Sequence, residues 1–122
     1  MRVLISGDRN YKRAATIYAL LAGLRHSHPG DELVVIQGEA RGADTLARQS
    51  AESLGIKVES YPAKWDEYGR FAGHIRNKQM LDEGQPDVVF CFHDDLENSK
   101  GTGHMARAAK EAGVPVYNIR RL

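Results

Sequence analysis

Short apolar runs alternate with longer stretches of helical periodicity along this chain of 122 residues. Runs rich in β-branched and aromatic residues predict strands. The five predicted strands are Arg2–Ser6, Glu32–Gln37, Ile56–Tyr61, Asp87–Phe92 and Pro115–Ile119. The second and fourth runs are nearly continuous in apolar residues, which is typical of strands covered on both faces in a parallel sheet.

Three of the segments between these strands carry apolar residues at helical spacing. The periodic positions are Ala14, Ile17, Leu21 and Leu24, then Ala43, Leu46, Ala47, Ser50 and Leu54, and finally Met105, Ala108, Ala109 and Ala112. Gly55 and Gly113 follow two of these segments, where a helix end favours a left-handed residue. A fourth helix is predicted over His74–Glu83, after a polar, turn-like segment that begins at Trp65.

The regular alternation of strand and helix predicts the fold class. It indicates a Rossmann-like α/β fold with three layers and a right-handed, doubly wound parallel sheet of five strands. We expect the strand order 3-2-1-4-5, with the switch point between strands 1 and 4. The length is that of one domain, predicted over residues 1–122.

The charge composition argues against a partner that is attracted by the net charge of the whole chain. Lys and Arg number 17 and Asp and Glu 16, so the formal net charge is +1. We therefore expect neither nucleic acid nor a membrane as partner, and any anion site must be local. No run approaches the roughly 20 apolar residues of a membrane span, which favours a cytoplasmic location. The single cysteine, Cys91, lies in an apolar run and is interpreted as a buried hydrophobe.

Three loops that contain glycine follow strands 1, 2 and 4, whose carboxyl ends meet at one edge of the predicted sheet. The loops are SGDRNY at residues 6–11, QGEARGAD at residues 37–44 and NSKGTG at residues 98–103. Glycine lets backbone N–H groups approach a ligand, and the positive end of a helix dipole favours an anion. Any one of these loops alone is more typical of a tight turn than of a phosphate site, but together the three predict a site for a small molecule that carries phosphate.

The candidate ligand-binding residues come from these loops and from the start of the fourth helix. They are Gly7, Asp8, Arg9, Asn10, Gly38, Glu39, Arg41, Gly42, Asp44, Arg76, Asn77, Ser99, Lys100, Gly101 and Thr102. Arg9, Arg41 and Lys100 would neutralise phosphate groups. The pair that opens the fourth helix, Arg76 and Asn77, either reaches across the site or faces water. Aromatic stacking and ordinary packing are both open for Tyr11, Trp65 and Tyr68.

Other ligand classes lack their motifs in this sequence. The stretch from Gly101 to Ala106 fits a loose GxGxxA pattern, but it follows the fourth strand and has no acidic residue at the ribose-binding distance, so NAD is not expected. No P-loop sequence is present. The neighbours His93, Asp94 and Asp95 lack a metal-ligand spacing, so neither a metal nor a cofactor is predicted.

Four motifs in order along the chain resemble a known group. GDRNY, QGEARGAD, IRNKQML and KGT make the chain similar to the YspA-like branch of the SLOG superfamily, which also holds the Lonely Guy phosphoribohydrolases and the DNA-processing protein A domain. The resemblance implies a Rossmann-like fold that binds nucleotides or nucleotide-derived ligands. It further implies a role in sensing or processing them, including in bacterial and phage conflict systems, and a homodimer by analogy.

The sequence departs from these relatives at two positions. Of the Lonely Guy motif PGGxGTxxE only the GT pair remains, and Met105 stands where the catalytic Glu would be. A thioether cannot move a proton as a carboxylate does, which weakens the case for N-glycosidic hydrolysis. Glu39 occupies a position where the branch usually has a small residue, and it either points away, pairs with Arg41 or contacts a ribose hydroxyl.

The leading hypothesis is a module that binds a nucleotide or an ADP-ribose-like ligand. In it Gly7, Gly38, Gly42, Gly101 and Thr102 donate hydrogen bonds, and Asp44 or Glu39 holds a ribose hydroxyl. An enzyme that hydrolyses an N-glycosidic or phosphoester bond is the alternative, with acid or base candidates Asp8, Glu39, Asp44 and Asp94. A single-stranded DNA-binding module is the third, which the near-zero net charge and 7% aromatic content disfavour.

Overall fold

The predicted strands form one parallel sheet in this computed structural model, which describes residues 1–120. The strands are β1 (Arg2–Gly7), β2 (Val34–Gln37), β3 (Lys57–Ser60), β4 (Val88–Phe92) and β5 (Val116–Asn118). The helices are α1 (Ala14–Ser27), α2 (Ala43–Ser53), α3 (Trp65–Tyr68), α4 (Ala72–Gly84) and α5 (Gly101–Glu111). Two short 3-10 turns, Gly69–Phe71 and Leu96–Asn98, follow α3 and β4.

The strand order is β3-β2-β1-β4-β5 and every pairing is parallel, which confirms the predicted fold and order. At the centre of the sheet, Val3 of β1 lies opposite Val35 of β2 and Val88 of β4. The chain passes from β1 to β2 on one side of this centre, and after β3 it crosses to β4 on the other side. The loops after β1, β2 and β4 therefore share one edge of the sheet, as a switch point requires.

Two apolar layers cover the sheet because side chains along β1 alternate between its faces. Val3 and Ile5 point to the face covered by α1 and α2, whereas Leu4 points to the face covered by α4 and α5. Cys91 is fully buried in the second layer, as its apolar run predicts. Met105 is also fully buried there, so its thioether belongs to the core.

Two predicted helix ends and the predicted fourth helix are confirmed, whereas one segment predicted as a turn is helical. Gly55 and Gly113 have φ of 70° and 79° after α2 and α5, as predicted. Helix α4 includes the predicted span His74–Glu83. The segment from Trp65, predicted as a turn, instead forms α3 and a 3-10 turn, because the Lys64 carbonyl accepts the first helical hydrogen bonds and two acidic side chains favour the first turn.

A single domain over residues 1–122 stays a prediction, and its last two residues lie outside the described range. Within residues 1–120, no helix combines the length and apolar character that crossing a bilayer requires.

Candidate functional site

The loops after β1, β2 and β4 converge on one cleft of about 800 Å³ at the carboxyl edge of the sheet. This volume lies in the range of small-molecule sites. Twelve of the fifteen candidate residues line it. They are Gly7, Asp8, Arg9, Asn10, Arg41, Asp44, Arg76, Asn77, Ser99, Lys100, Gly101 and Thr102.

A second cavity of about 440 Å³ adjoins the cleft on the side of the β2 loop. Gly38 and Glu39 line this cavity rather than the cleft, and Gly42 is absent from the lining of both. Arg9, Arg41, Trp65 and Arg76 are shared between the two spaces. The cleft therefore extends past Trp65 toward β3.

The cleft carries a local positive charge that the net charge of the chain conceals. Six basic side chains and two acidic ones, Asp8 and Asp44, line it. The basic residues are Arg9, Arg41, Arg70, Arg76, Lys100 and Arg107. Among the described residues, none forms an ion pair with Arg9, Arg41, Lys100 or Arg107. Their charge is therefore available to an anion in the cleft.

Arg76 reaches across the site from α4, which answers one of the open alternatives. Its Nη1 donates a hydrogen bond to the Gly38 carbonyl, and its Nε donates to Asn77 Oδ1 at 3.1 Å. Burial lowers the pKa of the guanidinium, and the nearby Asp44 carboxylate opposes that shift. A Cβ on Gly38 would lie 2.7 Å from Arg76 Cζ, so only glycine admits this contact. Arg76 thus ties α4 to the β2 loop.

Asp44 holds the β2 loop from the inside. Its side chain is 4% exposed, and Oδ2 accepts the N–H groups of Gly38 at 3.2 Å and Ala40 at 3.3 Å. These donors therefore hold the protein's own carboxylate. This corrects the expectation that the Gly38 N–H faces a phosphate, because Asp44 lies in the first turn of α2 and occupies the position of the anion.

The glycines of the first two loops serve close packing between loops. A Cβ on Gly7 would lie 2.6 Å from Ala43 Cβ and 2.7 Å from the Phe92 carbonyl oxygen. Gly42 has φ of 82°, and a Cβ there would lie 2.6 Å from the Arg9 carbonyl carbon. Gly101 has open space around it and is exposed. Of the predicted glycines, Gly101 is the one with open space around its Cα at the cleft.

Glu39 points away from the cleft. Its Oε1 accepts hydrogen bonds from Gln37 Nε2 at 2.6 Å and Ser60 Oγ at 2.8 Å, and it pairs with Arg48 at 3.3 Å. These contacts, the one with Gln37 first, lower the pKa of the carboxyl. Of the three alternatives left open for Glu39, the structure shows the one in which the side chain points away, since residues on the β3 side of the loop satisfy this carboxylate.

The start of α5 is held in place by buried polar contacts. Asn77 is 2% exposed, and its Nδ2 donates to the Gly101 carbonyl and to His104 Nδ1, both at 3.2 Å. Ser99 Oγ accepts the Gly103 N–H at 3.3 Å. Both side chains position the helix start, which leaves Lys100 and Gly101 exposed at the cleft.

Two aromatic side chains stand exposed in the cleft. Trp65 is 48% exposed and Phe71 58% exposed. The Arg9 guanidinium lies 5.7 Å from the centre of the Trp65 ring, a cation–π distance. Tyr11 is buried, as packing predicts, and Tyr68 lies outside the cleft. Trp65 is thus the aromatic candidate that reaches the site.

Several cleft residues had no signal in the loop pattern. Arg70, Phe71 and His74 lie in and just after the 3-10 turn, and Arg107 projects from the second turn of α5. His93, which directly follows β4, also lines the cleft. Arg107 lies four residues after Gly103 on the predicted helix and therefore on the same face of it. This spacing could have predicted that Arg107 lies beside the loop at residues 98–103.

The predicted acid and base candidates are mostly engaged elsewhere. Asp8 lines the cleft, with Oδ1 accepting the Asn10 N–H at 2.9 Å. Asp94 pairs with Arg13 at 3.1 Å outside the cleft. Over residues 1–120, no group of three or more His, Cys, Asp or Glu side chains is arranged to hold a metal ion.

The buried carboxyl of Asp44 predicts a pH-dependent stability. Burial raises its pKa from 3.8 to about 6. The folded chain holds this proton more tightly than the unfolded chain does. Ionisation of Asp44 therefore lowers the free energy of unfolding by on the order of 3 kcal/mol above about pH 6, and this loss disappears as the pH falls to about 4. We expect wild type to gain stability relative to Asp44→Asn on acidification, measured by urea unfolding. The exposed-residue variant Asp31→Asn is the control, and a difference between wild type and Asp44→Asn that is constant with pH would contradict the shift.

The fold and the three converging loops define a Rossmann-like α/β protein of SLOG type. The chain belongs to the YspA, cpYpsA-related SLOG family, whose model matches residues 1–68. That match includes the loops after β1 and β2 and ends at α3. Membership supports a nucleotide-related role.

One protein and one structure show the extent of the similarity. The chain is 40% identical over 123 residues to "Gene 61 protein" of Mycobacterium phage D29, covering 97% of this chain and 95% of that protein. It superposes on DNA processing protein A (DprA) from Streptococcus pneumoniae with a TM-score of 0.77 at 21% identity. The superposition covers 99% of this chain and 50% of that one, so the likeness concerns the fold of half of a longer protein.

Proposed function

We propose that the cleft binds a nucleotide or a nucleotide-derived ligand, such as a nucleoside monophosphate or ADP-ribose. The observation that carries this proposal is the set of unpaired cations, Arg9, Arg41 and Lys100, from three loops around one cleft with an exposed tryptophan. In this proposal the protein acts in the cytoplasm as a sensor or a sequestering module, and it forms a homodimer by analogy with the resemblance.

Phosphate groups are held mainly by side chains, at two places in the cleft. Since Asp44 occupies the N–H groups of the β2 loop, guanidinium groups of Arg9 and Arg41 provide the charge on that side. On the other side, the N-terminus of α5 offers the exposed Gly101 with Lys100 beside it, where the helix dipole adds to the attraction. Each charge-assisted hydrogen bond contributes about 1.5–3 kcal/mol.

The base stacks on Trp65 in this proposal. The ring is half-exposed at the cleft and lies beside Arg9, so a base placed on it stays close to the phosphate site. Stacking of a base on an aromatic side chain contributes about 1–3 kcal/mol and tolerates different bases. The site therefore favours nucleotides as a class over one particular base.

Binding without hydrolysis fits the acidic residues better than catalysis. Met105 is buried in the core, Glu39 faces β3, and Asp44 holds its own loop. The enzyme alternative is left with Asp8 as its acid or base in the cleft. Hydrolysis of an N-glycosidic or phosphoester bond is therefore the weaker candidate.

Incubation of the protein with a panel of nucleoside monophosphates and ADP-ribose tests both functions. We expect at least one ligand to raise the melting temperature and to be recovered unchanged by chromatography. Release of free base or phosphate, lost in Asp8→Asn, would establish the enzyme instead. A melting temperature that no ligand shifts would contradict nucleotide binding.

Single-stranded nucleic acid is a second candidate, because the cleft joins six basic side chains to the exposed rings of Trp65 and Phe71. Charged grooves with stacking aromatics bind single strands. The structural neighbour is named for DNA processing. A labelled oligonucleotide whose affinity exceeds that of mononucleotides and falls steeply with salt would favour this candidate.

A further inference from the structure

The basic and aromatic side chains of the cleft fall into two sets. We call Arg9, Arg41 and Trp65 the loop set, because its members line both the cleft and the cavity beside the β2 loop. We call Lys100, Arg107 and Phe71 the helix set, because they line the cleft at the α5 end and not that cavity. Each set holds two cations and one exposed aromatic ring.

One cation of each set comes from a strand beside β1, whereas Arg9 of the loop set follows β1 itself. Arg41 follows β2 and Lys100 precedes α5 after β4, and β1 lies between these two strands. Neighbouring strands are about 4.8 Å apart, so the ends of β2 and β4 are separated by roughly 10 Å. A ligand whose two phosphates are separated by a nucleoside matches this separation better than a pyrophosphate, whose phosphorus atoms share one bridging oxygen.

The ring of the helix set is fixed on the α5 side by a contact between helices. His74 of α4 stacks on His104 of α5 with ring centres 3.9 Å apart and planes at 8°. This contact holds the start of α4, which Phe71 immediately precedes, against α5. The Arg70 guanidinium lies 4.9 Å from the Phe71 ring and adds a further cation on this side.

From these observations we propose that the cleft takes two nucleotide units at once, an inference that rests on the proposed function. The ligand class is a 5′-phosphorylated dinucleotide, with one phosphate and one base on the loop set and the phosphodiester and second base on the helix set. A cleft of about 800 Å³ is near the upper end of the range for small-molecule sites, which agrees with a ligand larger than a mononucleotide.

Isothermal titration of wild type with the 5′-phosphorylated dinucleotide pApA and with AMP tests this assignment. We expect pApA to bind with one molecule per chain and at least about tenfold more tightly than AMP, because it engages both sets. Arg107→Ala should weaken pApA about tenfold or more while leaving the AMP site of the loop set intact. Lys110→Ala, on the same helix but outside the cleft lining, is the matched control.

The outcomes separate this inference from the proposed function. If AMP binds, and pApA binds no more tightly and is unaffected by Arg107→Ala, the two-unit ligand is wrong while the nucleotide site stands. If neither compound binds the folded protein, both proposals are wrong. A pyrophosphate-linked dinucleotide that binds as tightly as pApA and is equally sensitive to Arg107→Ala would overturn the spacing between the two sets.

Discussion

Replacing Gly42 with alanine is expected to destabilise the protein by about 3 kcal/mol or more in urea unfolding. With φ of 82° and ψ of −125°, Gly42 has a conformation that side chains avoid, and such strain costs about 1–3 kcal/mol. The added Cβ would also overlap the backbone of Asp8 and Arg9, which cannot rotate away, at a further cost of about 1–3 kcal/mol.

Substitutions at two other glycines separate the cost of backbone strain from the cost of steric overlap. Gly55 has φ of 70° with open space around it, so Gly55→Ala carries the backbone strain alone. Gly23 lies on α1 with open space and no positive φ, and Gly23→Ala should stabilise the helix by up to about 1 kcal/mol. If Gly42→Ala costs no more than Gly55→Ala, the close packing of the β1 and β2 loops is wrong.

Replacing Arg41 with alanine is expected to weaken nucleotide binding by about 1.5–3 kcal/mol, roughly tenfold to a hundredfold in Kd. Arg41 is exposed at the cleft and forms no ion pair with another described residue. Its loss therefore removes a ligand contact without breaking a contact of the fold. Titration calorimetry with the tightest nucleotide of the panel measures the change, and the melting temperature of the free protein should stay at the wild-type value.

The control for Arg41 removes the same charge elsewhere. Lys57 is exposed on β3 and lines neither the cleft nor the cavity beside it. Lys57→Ala should bind like wild type, and Arg41→Lys should keep part of the affinity because it keeps the charge and loses the planar donor pair. An equal loss in Lys57→Ala and Arg41→Ala would show a general charge effect and exclude Arg41 from the site.

The fold and the meeting of the loops were predictable because they depend on local pattern and topology. The alternation of apolar runs with helical periodicity limits the connections to right-handed crossovers. The strand order then brings residues as distant as Arg9, Arg41 and Lys100 to one edge. None of these inferences requires knowledge of which side chains touch.

The roles of single residues depend on tertiary contacts, which the sequence pattern does not contain. A glycine in a loop shows that space or a special φ is needed, but not whether a ligand or the protein fills the space. For Gly7, Gly38 and Gly42 the neighbours are Ala43, Arg76 and the Arg9 backbone. The meeting of the three loops was therefore predicted, while the use of their glycines was not.

The acidic residues and the helix set show the same limit. Asp44 and Glu39 are two carboxylates in one loop. Only the structure shows that Asp44 accepts a hydrogen bond from the Gly38 N–H and that Glu39 accepts one from Gln37 Nε2. Phe71 lies in a segment without clear periodicity, and its place in the cleft follows from the docking of α4 on α5. The net charge of +1 likewise averages over the whole chain and conceals the basic cleft.

The single tryptophan of the chain lies in the proposed site, so its fluorescence tests the central claim most directly. Titration with a nucleoside monophosphate should change the Trp65 emission to saturation, because a base stacks on the ring. Arg41→Ala should shift that curve to higher concentration with the same end point. Emission that stays unchanged through the millimolar range for every nucleotide tested, in protein that melts cooperatively, would contradict nucleotide binding in this cleft.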